Sequence, residues 1–137
     1  MGALEGKTVV LTGASRGIGK GIAVELAAAG ARVYFTARSM EEDPERPGTV
    51  AATEAAIREA GGQAVGIRCD HHVDSEVDAV FARIRADEER LDILVNNATA
   101  EMGAMVGKKF WQLPLSIWDA LLGVGLRSQS VARWHAA

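Results

Sequence analysis

Apolar runs and helical repeats alternate along the chain. Residues 7–12 and 31–38 are rich in apolar and β-branched side chains, which is typical of strands buried on both faces. Between them, apolar residues recur every four positions from 18 to 26, which predicts a helix over residues 17–29 that is closed by Gly30. The N-terminal part is therefore predicted to be strand, helix, strand.

The same alternation continues after a polar loop, residues 39–48, that contains two prolines. Further strands are predicted at residues 63–70 and 91–98, and further helices at residues 49–60, at residues 74–90 and from residue 116 onward. Ser75 with Asp78, and Ser116 with Asp119, have spacings that resemble capping boxes. Strands that alternate with helices predict an α/β fold with a parallel, doubly wound sheet.

Length, composition and charge narrow the function classes. A chain of 137 residues with 48% hydrophobic residues is long enough for one domain with a real core. Its net charge of −3 gives no general attraction for nucleic acid or anionic membranes, and no apolar run is long enough to span a bilayer. The single cysteine, Cys69, fits a reducing compartment, so we expect a cytoplasmic protein without nucleic-acid or membrane partners.

Three glycines follow the first strand, at positions 13, 17 and 19. This segment lacks the Gly-Lys-Ser/Thr sequence that phosphate-binding loops of nucleoside triphosphatases require, and its glycines have the spacing Gly-x-x-x-Gly-x-Gly. It suits a strand-to-helix turn whose first helical amides face a phosphate, with glycine where a Cβ would block the approach. A tight turn without a ligand remains the alternative.

The residues at the end of the second strand bear on the choice of nucleotide. NAD sites place a carboxylate there to bind the ribose hydroxyls, whereas this chain has Thr36-Ala37-Arg38. Arg38 can offer a charged, planar fork to a 2′-phosphate, and Arg16 adds a second positive charge inside the glycine turn. The alternative is that both arginines are solvated surface residues. Together they favour NADP(H).

Three motifs occur in order: TGASRGIG at residues 12–19, Asp70 after the third strand, and LDILVNNA at residues 91–98. In combination they resemble the short-chain dehydrogenases/reductases. The resemblance implies a Rossmann-type NAD(P)-binding domain over residues 1–137, with about four strands in the order 3-2-1-4. It also implies hydride transfer between a nicotinamide and a small-molecule carbonyl or alcohol, in a protein that forms homo-oligomers.

The resemblance also assigns cofactor-binding roles by position. The pyrophosphate and the adjoining ribose would be cradled by Gly13, Ser15, Arg16, Gly17, Ile18 and Gly19. Arg38 would meet the 2′-phosphate, and Asp70 would bind the adenine amino group with His71 packed beside it. Asn97 and Ala98 would line the adenosine ribose, while Asn96 would help to hold the strands around the fourth.

The family's catalytic groups are a serine and a Tyr-x-x-x-Lys pair. No Tyr-x-x-x-Lys pair occurs in this sequence. Its one tyrosine, Tyr34, is followed four residues later by Arg38, and we expect it at the adenosine end of the site. Gly125 also replaces an asparagine that usually helps to organise a proton relay. The resemblance implies that the catalytic groups follow residue 137, so these residues are expected to be the cofactor-binding half. A non-catalytic NADP(H)-binding or interaction module, or a non-functional product, remains open.

Other chemistry-bearing residues are weaker candidates. Residues 69–72, Cys-Asp-His-His, contain metal-ligand types, but consecutive residues of an extended segment point to opposite sides and no second cluster completes a site. We therefore predict no metal site. Phe110, Trp111 and Trp118 suit a substrate pocket or a subunit contact, and equally ordinary core packing.

Overall fold

A computed structural model describes residues 2–45, 47–100 and 102–137 and has the predicted alternation of strands and helices. The strands are β1 (Thr8–Leu11), β2 (Arg32–Ala37), β3 (Gln63–Arg68) and β4 (Ile93–Val95). The helices are α1 (Gly17–Ala28), α2 (Val50–Glu59), α3 (Asp74–Asp87), α4 (Ser116–Leu122) and α5 (Ser128–Ala136). Single 3₁₀ turns occur at Gly103–Met105 and Phe110–Gln112.

The described strands form one parallel sheet in the order β3-β2-β1-β4, as predicted. The register pairs Val10 with Tyr34 on one side and with Leu94 on the other. Tyr34 in turn pairs with Val65 of β3. Because all four strands run in the same direction, the segments that follow them meet along one edge of the sheet.

Helices cover both faces of the sheet, which makes it doubly wound. On one face, Val33 and Phe35 of β2 pack with Ala23 and Ala27 of α1 and with Ile57 of α2. The opposite face has a separate core, in which the buried residues are Val10, Tyr34, Cys69, Val77, Val80, Phe81, Ile84 and Ala132. Alternate residues of each strand supply the two cores, which explains why the strands read as continuous apolar runs.

Both predicted capping boxes are wrong. The carbonyl of Val73 already accepts from the amides of Glu76 and Val77, so α3 begins one residue before Ser75 and no side chain caps it. Helix α4 begins at Ser116 itself, after Leu115. By contrast, Thr49 caps α2, with its hydroxyl accepting from the amide of Ala52 at 3.1 Å.

Helices α4 and α5 are joined by a π-helical segment, Gly123–Arg127. Two glycines in five residues weaken the α-helical preference there, and the Ser128 hydroxyl bonds to the carbonyl of Val124. Arg127 pairs with both carboxylate oxygens of Asp74, which ties this segment to the start of α3. In the described part of the chain, no helix has the length and hydropathy to cross a membrane.

Candidate dinucleotide-binding site

The predicted cofactor-binding residues follow directly after the strands, along one edge of the sheet. The glycine turn follows β1, Arg38 follows β2, Asp70 and His71 follow β3, and Asn97 and Ala98 follow β4. Ligands of open α/β sheets bind at the carboxyl ends of the strands, where crossovers diverge to opposite faces. The topology therefore brings the separate sequence motifs to one place.

The glycine turn is packed tightly against its neighbours on the β4 side. Gly13 has a φ of +75°, and a Cβ at this position would lie 2.7 Å from the Cα of Ala98. A Cβ at Gly19 would lie 2.1 Å from the carbonyl oxygen of Gly13 and 2.5 Å from Nδ2 of Asn97. These two glycines let helix α1 and the end of β4 pack directly on the turn.

Gly17 is different, because the space beside it is open. Its φ is +56°, and a Cβ built on it would have no heavy atom within 4 Å among the described residues. Gly17 is also the first residue of α1, whose first-turn amides have no partners inside the helix. The neighbouring Ile18 is 78% exposed. The arrangement leaves room for an anion at the positive end of the helix.

Two residues at the end of β1 and β4 lock the turn in place. The Thr12 hydroxyl accepts from the amides of Asn97 and Ala98, at 3.0 Å each. In return, Nδ2 of Asn97 donates to the carbonyls of Thr12 and Gly13, at 3.1 and 2.6 Å. The Asn97 side chain thus holds the turn, which the sequence reasoning did not foresee.

Thr36 of β2 holds the turn from the other side. Its hydroxyl accepts from the Gly13 amide at 3.2 Å and lies 2.8 Å from Nε2 of His71, and its carbonyl accepts from the Ala14 amide at 2.8 Å. The ring of His71 is directed at Thr36 and is almost fully buried. Sequence reasoning assigned no role to Thr12 or Thr36, although each is the first residue of a stretch that it singled out.

The two arginines of the site have different surroundings. Arg16 donates to the Ser39 hydroxyl at 2.6 Å and to the carbonyl of Gly48 at 3.4 Å, which ties the loop after β2 to the glycine turn. Arg38 is exposed, and among the described residues its side chain makes no hydrogen bond or ion pair. It lies close enough to Asp70 to help lower the pKa of that carboxyl. Arg38 is therefore the arginine that is free to receive a ligand.

The carboxyl of Asp70 is held in its charged form. The backbone amide of His72 donates to Oδ1 at 2.9 Å and is the main cause of the lowered pKa of Asp70. The amide of Asp70 itself donates to Glu76 at 2.7 Å. Burial raises the pKa of the neighbouring Cys69 thiol to about 12, so this thiol stays protonated and inert.

The position expected for Tyr34 is wrong. Its hydroxyl bonds to Glu88 at 2.7 Å, and Glu88 also pairs with Arg32 at the start of β2. The hydroxyl therefore lies toward the amino ends of the strands, away from the nucleotide edge. Burial and Glu88 raise the pKa of Tyr34 to about 12. The expectation failed because Tyr34 lies in the middle of β2 and its side chain extends toward the amino end of the strand, where Glu88 and Arg32 lie.

Residues 69–72 do not converge on a common point. Cys69 is buried in the core, His71 bonds to Thr36, and His72 lies 3.3 Å from the Asp70 carboxylate. Within the described ranges, no group of three or more histidine, cysteine or acidic side chains is arranged to hold a metal ion. Phe110 and Trp111, for which core packing was one alternative, are 70% and 67% exposed.

These features define a Rossmann-type dinucleotide-binding fold with a glycine turn at the start of its first helix. The family model for short chain dehydrogenase matches residues 7–133. The chain belongs to the short-chain dehydrogenase family.

It is similar to dehydrogenase/reductase SDR family member 1 of Mus musculus, with 41% identity over 98% of this chain and 42% of the relative. Hydroxysteroid dehydrogenase-like protein 2 of Danio rerio is 37% identical over 92% of this chain and 29% of that protein.

Solved structures give the same result. A short-chain dehydrogenase from Mycobacterium thermoresistibile has a TM-score of 0.87 and 36% identity, covering 98% of this chain and 46% of that one. A metagenomic short-chain oxidoreductase in complex with NADP has a TM-score of 0.80 and 36% identity, covering 96% of this chain and 55% of that one. The chain thus spans about half the length, or less, of these relatives.

Proposed function

We propose that these residues form the cofactor-binding part of an NADP(H)-dependent oxidoreductase that transfers a hydride between nicotinamide and a small-molecule carbonyl or alcohol. The observation that carries the proposal is the glycine turn, which is closed by Ala98 and Asn97 on one side and open at Gly17 on the other. Family membership and the metagenomic relative in complex with NADP support it.

The residues of the site fit a dinucleotide. The open space at Gly17 and the free amides of α1 suit the pyrophosphate, with Ser15 and Ile18 beside it. The ionised carboxylate of Asp70 is an acceptor for the adenine amino group. Asn97 and Ala98 are proposed to line the adenosine ribose. When bound, the nicotinamide supplies or accepts the hydride, while this chain's residues bind and orient the nucleotide.

The preference for NADP(H) over NAD(H) is proposed on the basis of Arg38 and Arg16. The end of β2 carries no carboxylate for ribose hydroxyls, and the guanidinium of Arg38 is not engaged by a hydrogen bond among the described residues. A charge-assisted bond to the 2′-phosphate contributes about 1.5–3 kcal/mol, which corresponds to roughly 10- to 150-fold in affinity.

The substitution Arg38→Asp tests this preference in the full-length protein. The introduced carboxylate repels the 2′-phosphate and can accept from ribose hydroxyls, so the ratio of NADPH to NADH affinity should fall at least about tenfold. Arg58→Asp is the matched control, because Arg58 is exposed in the last turn of α2 and, like Arg38, its side chain makes no hydrogen bond or ion pair among the described residues. An unchanged ratio in Arg38→Asp, measured by fluorescence titration, contradicts the assignment of Arg38.

We further propose that the serine, tyrosine and lysine of the reaction lie outside these residues. Tyr34 is engaged by Glu88 and has a pKa raised to about 12, which does not suit a general acid near neutral pH. A protein extended to the length of its relatives should reduce a carbonyl with NADPH, whereas residues 1–137 alone should not. If the extended protein binds NADPH but has no activity on a panel of carbonyls, the alternative of a binding module is favoured.

We propose that the full-length protein is a cytoplasmic homo-oligomer. Leu115, Trp118, Leu122 and Leu126 are 83%, 44%, 54% and 59% exposed. Their spacings of three and four residues place them near one another along α4 and the π-helical segment. Such an apolar surface marks a contact region, either with the rest of a longer chain or with a second copy of the protein. Sedimentation of the full-length protein should show a dimer or tetramer, and Leu122→Glu should shift it toward the monomer.

A further inference from the structure

The ring of His71 makes a contact that the family resemblance does not explain. His71 is 7% exposed, and its Nε2 lies 2.8 Å from the hydroxyl oxygen of Thr36. The same hydroxyl accepts from the amide of Gly13 at 3.2 Å. A chain of two hydrogen bonds therefore links the residue after Asp70 to the first glycine of the turn.

The direction of these bonds follows from the donors available. The hydroxyl oxygen of Thr36 already accepts from the Gly13 amide, so its own proton needs an acceptor. Nε2 of His71 is the one acceptor recorded within reach of that hydroxyl in the described part of the chain. On this ground we assign Nε2 as the unprotonated nitrogen and Nδ1 as the nitrogen that carries the hydrogen of the neutral ring.

The other ring nitrogen shows that histidine does not merely fill space. Nδ1 is buried and has no hydrogen-bond partner among the described residues. An unpaired buried donor destabilises the folded state, and leucine would fill the same space without it. What leucine lacks is the acceptor that Nε2 presents to Thr36.

We propose that His71 is a positioning residue for nucleotide binding: as an acceptor it fixes the Thr36 hydroxyl, which in turn fixes the Gly13 amide and the glycine turn. The inference rests on the proposed function, since the turn is proposed to hold the pyrophosphate. It adds a physical coupling between the adenine corner at Asp70 and the phosphate turn, through a residue that touches neither phosphate.

The acceptor role requires a neutral ring. Burial lowers the pKa of His71, and the nearby carboxylates of Asp70 and Glu76 oppose this effect without cancelling it. Thr36 and Gly13, which face the ring from β2 and the turn, carry no charge. At low pH, protonation turns Nε2 into a donor, which reverses this hydrogen bond and leaves the Thr36 proton without its acceptor. The acceptor contribution of His71 is therefore lost as the pH falls through the lowered pKa.

The test compares His71→Leu and His71→Gln in the full-length protein, with NADPH and NADH as probes. Glutamine can place a side-chain oxygen near the position of Nε2, whereas leucine cannot. We expect His71→Leu to raise both dissociation constants roughly fivefold to tenfold, and His71→Gln to restore most of the affinity. Combined with Thr36→Val, His71→Leu should cause no further loss, because both remove the same chain of bonds.

Two further readouts separate positioning from simple packing. The ratio of wild-type to His71→Gln affinity cancels the titration of the nucleotide, and it should fall as the pH drops through the lowered pKa of His71. Exchange of the Gly13 amide should be faster in His71→Leu than in His71→Gln, with or without nucleotide. Equal affinities in wild type and the folded His71→Leu variant, or equal exchange in the two variants, overturn the inference. If the wild type binds neither nucleotide, the proposed function fails, and amide exchange alone decides the role of His71.

Discussion

Three of the glycines at positive φ, Gly13, Gly17 and Gly61, allow the steric effect of an added Cβ to be separated from backbone strain. Gly13 and Gly61 have almost the same φ, +75° and +80°, but a Cβ at Gly61 would meet no heavy atom within 4 Å among the described residues. A Cβ at Gly13 would lie 2.7 Å from the Cα of Ala98. Gly17, with φ +56°, has open space like Gly61 but lies in the proposed pyrophosphate site.

The expected costs of alanine follow from these surroundings. The left-handed backbone costs a residue with a Cβ about 1–2 kcal/mol, which is the whole effect expected for Gly61→Ala and Gly17→Ala. Gly13→Ala adds overpacking against a backbone atom, about 1–3 kcal/mol, for a total of about 2–5 kcal/mol. The effects on nucleotide affinity should follow a different order. Gly13→Ala and Gly17→Ala should lower NADPH affinity because both lie in the proposed pyrophosphate site, whereas Gly61→Ala should leave it unchanged.

Urea unfolding of the three variants measures the first quantity, and NADPH titration of the folded proteins measures the second. Gly17→Ala should resemble Gly61→Ala in stability and Gly13→Ala in NADPH affinity. Equal stability losses in Gly13→Ala and Gly61→Ala would refute the steric clash expected between a Cβ at position 13 and Ala98. Wild-type NADPH affinity in Gly17→Ala would refute the placement of the pyrophosphate.

Further predictions concern the bonds that hold the strands together. Asn97→Ala leaves two carbonyls of the turn without their donor, so it should lower the free energy of unfolding in urea by about 1–3 kcal/mol and weaken NADPH binding. Asn97→Asp should show the same losses, because a carboxylate cannot donate to these carbonyls. Tyr34→Phe removes the bond to Glu88 and should cost only about 0.5–1.5 kcal/mol without changing NADPH affinity; a loss of affinity would place Tyr34 in the site after all. The hydrogen bond from the Thr8 amide is the main cause of the lowered pKa of Asp92. The Asp92 carboxylate therefore stabilises the folded state at pH values above the pKa it has in the unfolded chain, and this stabilisation is lost as the pH falls through its lower pKa in the folded state. Asp92→Asn should therefore reduce the acid sensitivity of unfolding, and an unchanged pH profile would contradict this.

The sequence predicted the fold well because the signals are local and periodic. The apolar runs identified all four described strands, and Gly30 closes the first helix with φ +97°. The edge at which the motifs meet also followed from the sequence, since parallel strands place their carboxyl ends together. The capping boxes failed because Ser75 is the second residue of α3 and Ser116 is the first residue of α4, so neither serine lies at the N-cap position.

The side-chain partners of the site could not be predicted from the sequence. The Asn97 amide bonds back to carbonyls 84 and 85 residues earlier in the chain, and the Thr36 hydroxyl bonds to His71, 35 residues away. Such contacts depend on the register between strands and on rotamers, which no local pattern encodes. The place of Tyr34 was missed for the same reason, because its partner Glu88 is 54 residues away.

The central claim is that the glycine turn binds a nicotinamide dinucleotide, with NADPH preferred to NADH. Its most direct test is a fluorescence titration of the protein with each nucleotide under identical salt and pH. We expect saturable binding of both nucleotides, with a dissociation constant for NADPH at least about tenfold lower than that for NADH. No binding of either nucleotide would contradict the claim.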